Sequence, residues 1–413
     1  MSNLPRRLAA LAAAFVAITA CGVSGSQSSS SGGSQDSTPI KIGVVTGLTG
    51  AYTQLGAAQK TGAELAIKQL GGKAGNHPIS VLIRDDQIKP DLALEKTKEL
   101  VQTDKVDFLT GCVSAATTLP INQVAKQAGI PYLGTCQTEK LNRPPDLGPS
   151  TFHIAPLPSQ DVNAVTPWVV NNLGKKLLFL EPDYAWGHEQ YDAFQKAVPA
   201  AGGTNLGVVW APLGTTDFTS YIPRIQAAGA DVLIMGAAGR DQEAFLKQAK
   251  QFGLDKKMKI FQFLADIAFD DEMGYDVVAG TYGATNFLWT NKDAGTQKFV
   301  KDYTAEYGKP PSGYSAYVYN AVMLIAQQVK TNKYKPDDFV KALSGSKFDL
   351  SQGPELVRSC DRQTIQPTYI VLGLAQADAA SKGGSDKFGY RQLVATIPAD
   401  EKQPPSCSEL GLK

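Results

Sequence analysis

The sequence predicts an α/β protein made of two doubly wound, three-layer lobes joined by a hinge that the chain crosses three times. Three observations point there. Short apolar runs alternate with stretches of helical spacing along most of the chain, the pattern of a parallel sheet with crossover helices. The alternation pauses at residues 152–158, which carry two prolines, and then restarts. The body from Ile40 to Lys413 is also long for a single core, so two domains are the natural division.

The elements follow in order. Residues 40–45 form a short apolar strand, and a loop over 47–56 leads into helical spacing across 57–70. Gly71 and Gly72 stop that helix. A strand at 79–84, a loop with Asp85, Asp86 and Pro90, and a helix at 91–101 come next. Strand 106–110 opens into a loop of small and hydroxyl residues, 111–118, and a helix with apolar Ile121, Val124, Ala125 and Ala128. Strand 130–133 opens into a second such loop, 134–138. After the pause, helices are expected at 165–173, 188–201, 218–228 and 241–252. Strands are expected at 176–180, 207–210, 232–235, 259–263 and 279–284. A second linker falls near 286–289, helices at 294–307, 314–330 and 337–344, and a late strand at 368–374 near a third crossing. Crossovers between parallel strands are right-handed. Ligands of such sheets sit outside the carboxyl ends of the strands, where helix N-termini favour an anion such as a carboxylate. The two adjacent loops, 111–118 and 134–138, therefore read as half of a small-molecule site.

The first twenty residues are read as an export signal. Arg6 and Arg7 precede an apolar run, 8–17, that is too short to span a bilayer comfortably. The run ends in Ile18, Thr19, Ala20 and Cys21. That ending resembles the bacterial lipoprotein signal, in which cleavage precedes the Cys and its thiol takes a diacylglycerol. A plain signal peptide with an incidental Cys, or an uncleaved anchor, is the other reading. Residues 21–39, rich in Ser and Gly, then form a flexible tether. No later stretch reaches 18 unbroken apolar residues, so no other span is expected. Without residues 1–20 the chain carries 38 basic against 39 acidic side chains. That balance argues against a nucleic-acid partner, which calls for a strong basic field.

Four further cysteines, Cys112, Cys136, Cys360 and Cys407, form an even set in an exported chain and suggest two disulfides. Cys112 and Cys136 follow consecutive strands and are paired on that ground. Cys360 and Cys407 are paired by default. Zinc is not expected, because there is no C-x-x-C spacing and only His77, His153 and His188 are present. No cofactor motif is read.

The chain resembles the leucine/isoleucine/valine-binding protein family, the type I periplasmic solute-binding proteins of ATP-driven (ABC) importers, in a lipoprotein form. The residues that carry the resemblance are Ile42, Gly43 and Val44, followed by Leu48, Thr49, Gly50, Ala51 and Tyr52, then Gly56, Gly62 and Ala63. Asp85, Asp86 and Gln87 follow, with 111–114 as a Gly-x-x-Ser loop and 128–131 as an Ala-Gly-Ile-Pro turn. Asp183 to Gly187 matches an Asp-Tyr-x-aromatic-Gly turn, and Gly313 to Tyr317 a late helix start. It covers about residues 40–373. The resemblance implies a clamshell with lobe 1 at 40–156 plus 287–364 and lobe 2 at 157–286 plus 365–413. It implies no catalysis, an importer's membrane subunits as partner, and ATP hydrolysis elsewhere. It places the protein outside the cytoplasmic membrane, anchored through Cys21.

The same resemblance implies a ligand carboxylate gripped by lobe 1 through 113–116 and 136–138. Ser114, Ala115, Cys136, Gln137 and Thr138 are the candidates, and Ala115 stands where many members carry a contacting Ser. Ordinary turn or helix capping is the bland reading of Ser114 and Thr138. On lobe 2, Trp186 is a candidate stacking aromatic or simple core. Asp183 contacts the ligand or orients its turn. Asp266 lies near the family's ammonium partner, or is a surface acid. Gly239, with Ala237 and Ala238, leaves room for a ligand bulkier than valine, and Arg240 either meets a second acid group or faces solvent. Tyr52 and Leu55, on the first loop, are candidates to close the pocket, with plain core the other reading of Leu55. The expected ligand is a branched-chain or other amino acid or an aromatic acid, with amides and urea behind. A clamshell sensor that reports to a membrane receptor is a rival. An exported serine acyl hydrolase using Ser344, from the Ser-x-x-Lys match at 344–347, is a distant one, since the partner motifs are missing.

Overall fold

The computed structural model describes residues 36–412. The export signal, Cys21 and most of the expected tether lie outside the described residues. Lobe 1 is built on six strands: β1 (Ile40–Thr46), β2 (Lys73–Ala74), β3 (His77–Asp85), β4 (Phe108–Gly111), β5 (Tyr132–Gly134) and β6 (Thr151–His153), in the order β2-β3-β1-β4-β5-β6. All pair in parallel except the short β2–β3 hairpin. Helices α1 (Thr53–Gln69), α2 (Pro90–Lys98) and α3 (Ala115–Ala128) make the crossovers. The strands are near-continuous apolar runs because both faces of the sheet are covered.

After the first crossing comes lobe 2. It contains α4 (Pro158–Asn172), β7 (Lys176–Pro182), α5 (Ala185–Ala200), β8 (Thr204–Ala211), α6 (Ile222–Ala227), β9 (Val232–Met235), α7 (Gly239–Gln251), β10 (Lys259–Gln262), α8 (Ile267–Met273), α9 (Tyr275–Val278) and β11 (Tyr282–Thr285). The chain then returns through α10 (Ala294–Tyr307), α11 (Gly313–Lys330) and α12 (Pro336–Leu343) to lobe 1. Gly62 lets α1 and α11 cross closely, since a Cβ there would lie 2.1 Å from the Ser315 carbonyl oxygen. Phe339 on α12 packs against Phe108 and Phe152 under the first sheet.

A small antiparallel sheet follows, β12 (Lys347–Asp349), β13 (Pro354–Val357) and β14 (Thr364–Ile365). The third crossing leads to β15 (Thr368–Gly373), α13 (Ala379–Gly383) and β16 (Arg391–Ile397). These last strands complete a seven-stranded sheet, β16-β15-β11-β10-β9-β7-β8. The expectation of a parallel sheet is corrected at this edge: β15 runs antiparallel to β11, and β16 antiparallel to β15. β15 enters from the hinge rather than from a crossover helix, so nothing forces it parallel.

The residues expected to be linker at 152–158 contain β6 and the start of α4. Pro158 and Pro223 each occupy the first turn of a helix, where a fixed φ and a missing N–H cost nothing. The structure joins Cys112 to Cys136 and Cys360 to Cys407, with Cα–Cα distances of 5.2 and 6.1 Å. Among the described residues no helix is long and apolar enough to cross a membrane.

Candidate functional site

In each sheet the strand order reverses once. In lobe 1 it reverses at β1, which lies between β3 and β4. In lobe 2 it reverses at β7, which lies between β8 and β9. Such switch points leave a crevice beyond the strand ends. Here the two crevices face each other and form one narrow cavity. Lobe 1 contributes Tyr52, Leu55, Val113, Ala115 and Gln137. Lobe 2 contributes Tyr184, Trp186, Ala238 and Leu264, and Tyr314 comes from the start of α11. Among the described residues, none of these lining side chains is charged.

The wall is made largely of helix starts. Tyr52 precedes α1, Ala115 opens α3, Tyr184 and Trp186 open α5, Ala238 precedes α7 and Tyr314 is the second residue of α11. The topology dictates this, because every crossover helix begins where its strand ends at the crevice. The starts of α1, α5 and α7 have no side-chain cap, so their first N–H groups have no partner within the helix. Gly187 keeps α5 close to its strand: a Cβ there would lie 2.1 Å from the Pro182 carbonyl oxygen.

The lobes touch across the cavity. The hydroxyls of Tyr52 and Tyr184 are 3.0 Å apart. Trp186 Nε1 donates to Gln137 Oε1 at 3.1 Å, and the indole packs against Phe263. Burial holds the phenols of Tyr52, Tyr184 and Tyr314 well above the usual range, so they remain neutral donors.

Beyond Gln137 the chemistry changes. Gln137 Nε2 donates to Asp161 Oδ2 at 2.9 Å. The other Asp161 oxygen accepts Asn286 Nδ2 at 2.8 Å and Thr368 Oγ1 at 3.2 Å. Asp161, Asn286 and Thr368 stand beside the three crossings, so one carboxyl ties all of them together. Burial pushes it up to about 7. Glu189 accepts Thr138 Oγ1 at 3.1 Å and the Glu139 N–H at 2.9 Å. Burial raises Glu189 to about 7 as well.

The structure thus gathers Tyr52, Leu55, Ala115, Gln137, Trp186 and Ala238 on the cavity wall. The other candidates stand elsewhere. Ser114 caps α3 by accepting the Ala116 N–H at 3.3 Å. The Cys136 sulfur is held in its disulfide, and Thr138 donates to Glu189. Asp183 is half exposed and pairs with His188. Gly239 has a φ of +64°, and a Cβ there would lie 3.2 Å from the Ala51 carbonyl oxygen; it closes against lobe 1 rather than lining the cavity. Asp266 accepts Ala268 N–H at 2.8 Å and Gly313 N–H at 2.9 Å, so both oxygens are engaged. Arg240 is exposed and lines an outer groove with Asp271 and Glu272. Ser344 ends α12, and no hydrogen-bond partner meets its hydroxyl among the described residues. Three wall residues were passed over in the sequence, Tyr184, Leu264 and Tyr314. The two tyrosines lie inside stretches that carry the family resemblance.

This fold and cavity define a two-lobed binding protein whose ligand space lies between its halves. The chain belongs to the periplasmic binding protein family, whose model matches residues 39–378. It is similar to Leu/Ile/Val-binding protein homolog 8 of Brucella abortus, 26% identical over 331 residues, covering 76% of this chain and 81% of the other. Among solved structures it resembles a periplasmic binding protein from Burkholderia mallei at 28% identity and a TM-score of 0.82, covering 90% of this chain and 97% of that one. A branched-chain amino acid ABC transporter periplasmic ligand-binding protein from Burkholderia xenovorans is similar at 26% identity and a TM-score of 0.79, covering 90% and 98%.

Proposed function

We propose that this protein is an extracytoplasmic solute-binding lipoprotein of an ABC importer, which captures a small carboxylate between its lobes and presents the closed form to the importer's membrane subunits. One observation carries the reading: the switch points of both sheets open onto the same cavity, and its wall draws side chains from both lobes. Ligand that docks on one lobe gains the second set of contacts only on closure, which is what favours the closed state. The relative described as a branched-chain amino acid transporter component supports the importer role. Lobe 1 is taken as 40–156 plus 287–364 and lobe 2 as 157–286 plus 365–413. Cys21 is taken as the lipid attachment point.

A calorimetric titration of the full chain with amino acids and aromatic acids, repeated on Ala115→Leu, tests the site. Ala115 is buried on the cavity wall, and a leucine there fills the space. Binding by the parent and none by the variant is expected. Equal binding by both would move the site elsewhere. Metabolic labelling with palmitate, lost in Cys21→Ser, tests the anchor.

A further inference from the structure

We propose that the C-terminal segment 398–412 is a latch between the two lobes, pinned covalently to lobe 1 and gripping lobe 2 through Asn163, which favours the closed arrangement whether or not a ligand is bound. The segment leaves β16, the edge strand of the lobe 2 sheet, after Ile397. It does not stay on that lobe. Cys407 is bonded to Cys360, which lies between β13 and β14 on the lobe 1 side of the third crossing. That stretch is fixed to the first sheet. Arg362 Nε donates to the Thr151 carbonyl at 2.7 Å, and the His153 N–H donates to the Arg362 carbonyl at 3.1 Å. The disulfide therefore closes a loop of 47 positions that leaves lobe 1, runs through β15 and β16 of lobe 2 and comes back. It is a link between the lobes beyond the three crossings.

The hydrogen bonds along the segment alternate between the lobes. On lobe 1, the buried Arg358 guanidinium is held by both oxygens of Asp361, at 2.9 and 2.6 Å. Its Nη1 donates to the carbonyl oxygens of Glu401 at 3.5 Å and Pro405 at 2.9 Å. Between these, the Gln403 carbonyl accepts Asn163 Nδ2 at 2.6 Å, from α4 of lobe 2. Gln403 is 9% exposed. Pro404 and Pro405 fix their own φ and bias Gln403 toward extended backbone, so the gripped part is stiff. Past the disulfide, Arg143 Nη1 reaches the Glu409 carbonyl at 3.3 Å. When the lobes part, the segment must let go of one of them. The disulfide and Arg358 keep it on lobe 1, so the contact that breaks is Asn163 to Gln403. The turn before it supplies the slack, where the Gln403 N–H donates to the Asp400 carbonyl and its Nε2 to the Pro398 carbonyl, each at 3.0 Å. A contact made only in the closed arrangement shifts the population toward that arrangement, and a tethered partner re-forms it readily.

The test reads lobe separation directly, on the full chain without ligand. Lys60 on α1 and Lys247 on α7 are exposed and stand on different lobes. Spin labels attached through p-acetylphenylalanine at these two positions leave the cysteines untouched. Pulsed electron resonance then gives the ratio of long to short separations, which release of the C-terminal segment alone does not change. Asn163→Ala should raise that ratio about fivefold, the worth of one hydrogen bond. Cys360→Ala combined with Cys407→Ala should raise it at least as far, because opening can then release the segment from lobe 1 instead. Asn163→Ala keeps the disulfide, so its result stands even if the cysteine variant does not fold. Separations in Asn163→Ala that match the parent overturn the latch, and so does a folded cysteine variant that matches it.

Discussion

The two ends of the cleft differ in kind. On the cavity side of Gln137 the wall is aromatic, uncharged and built from helix starts. On the hinge side stand three acids: buried Asp161, which meets Gln137, Asn286 and Thr368, and half-buried Glu139 and Glu189, which accept the Ser159 N–H and donors from residues 138 and 139. The first arrangement can select a ligand. The second can set how readily the lobes close. Gln137 belongs to both, because its carbonyl takes Trp186 and its amide nitrogen serves Asp161. Selection and closure are therefore separate chemistries joined through one side chain.

Breaking the cavity side should have the largest effect. Trp186→Ala removes a 5% exposed indole that packs on Phe263 and bonds Gln137. Loss of about 3–5 kcal/mol of stability is expected, read as a lower denaturation midpoint, together with loss of ligand binding. A stable variant that still binds would show that the indole is peripheral.

The hinge side answers through pH. The Asp161 carboxyl stands near 7 in the folded protein, above its ordinary value of 3.8. Its stabilising contribution is therefore complete below about pH 4 and is lost as pH rises through about 7, by up to about 4 kcal/mol. Glu189, also about 7, adds in the same sense. Asp161→Asn should flatten melting temperature against pH between 4 and 8. An unchanged slope would mean that other groups set the dependence. Cutting the link comes next: Gln137→Leu strands the Trp186 N–H and takes one donor from Asp161, at about 1–3 kcal/mol. It should weaken ligand binding and shift the pH profile together. Movement of only one would show that the two ends are not joined through this residue.

Most of the fold was legible because buried parallel strands are continuous apolar runs, such as Val232–Met235. What escaped lacked that pattern. β16 carries exposed Leu393 and Val394 at the sheet's edge, and β12 to β14 are two to four residues long. The site divided along similar lines. Wall positions fixed by the strand–loop–helix plan, such as Ala115 and Trp186, could be found from the loops alone. Asp183 and Asp266 drew attention as charges, yet one faces solvent and the other is closed by backbone N–H groups. Tyr184 stands directly between Asp183 and Ala185 in the sequence. Which of two adjacent side chains turns inward at a helix start depends on backbone geometry that spacing does not reveal.

The smallest effect isolates closure from selection. The Tyr52–Tyr184 hydroxyl pair joins lobe 1 to lobe 2 at 3.0 Å, and neither ring leaves if only the Tyr184 oxygen is removed. Tyr184→Phe should therefore cost about 1 kcal/mol of the closed state, close to a fivefold shift toward open lobes. Small-angle scattering without ligand should show the larger radius of gyration. If the ligand then binds only about fivefold more weakly, the hydroxyl acts through closure alone. A loss of 50-fold or more would instead place that hydroxyl against the ligand, and closure and selection would overlap at this tyrosine as they do at Gln137.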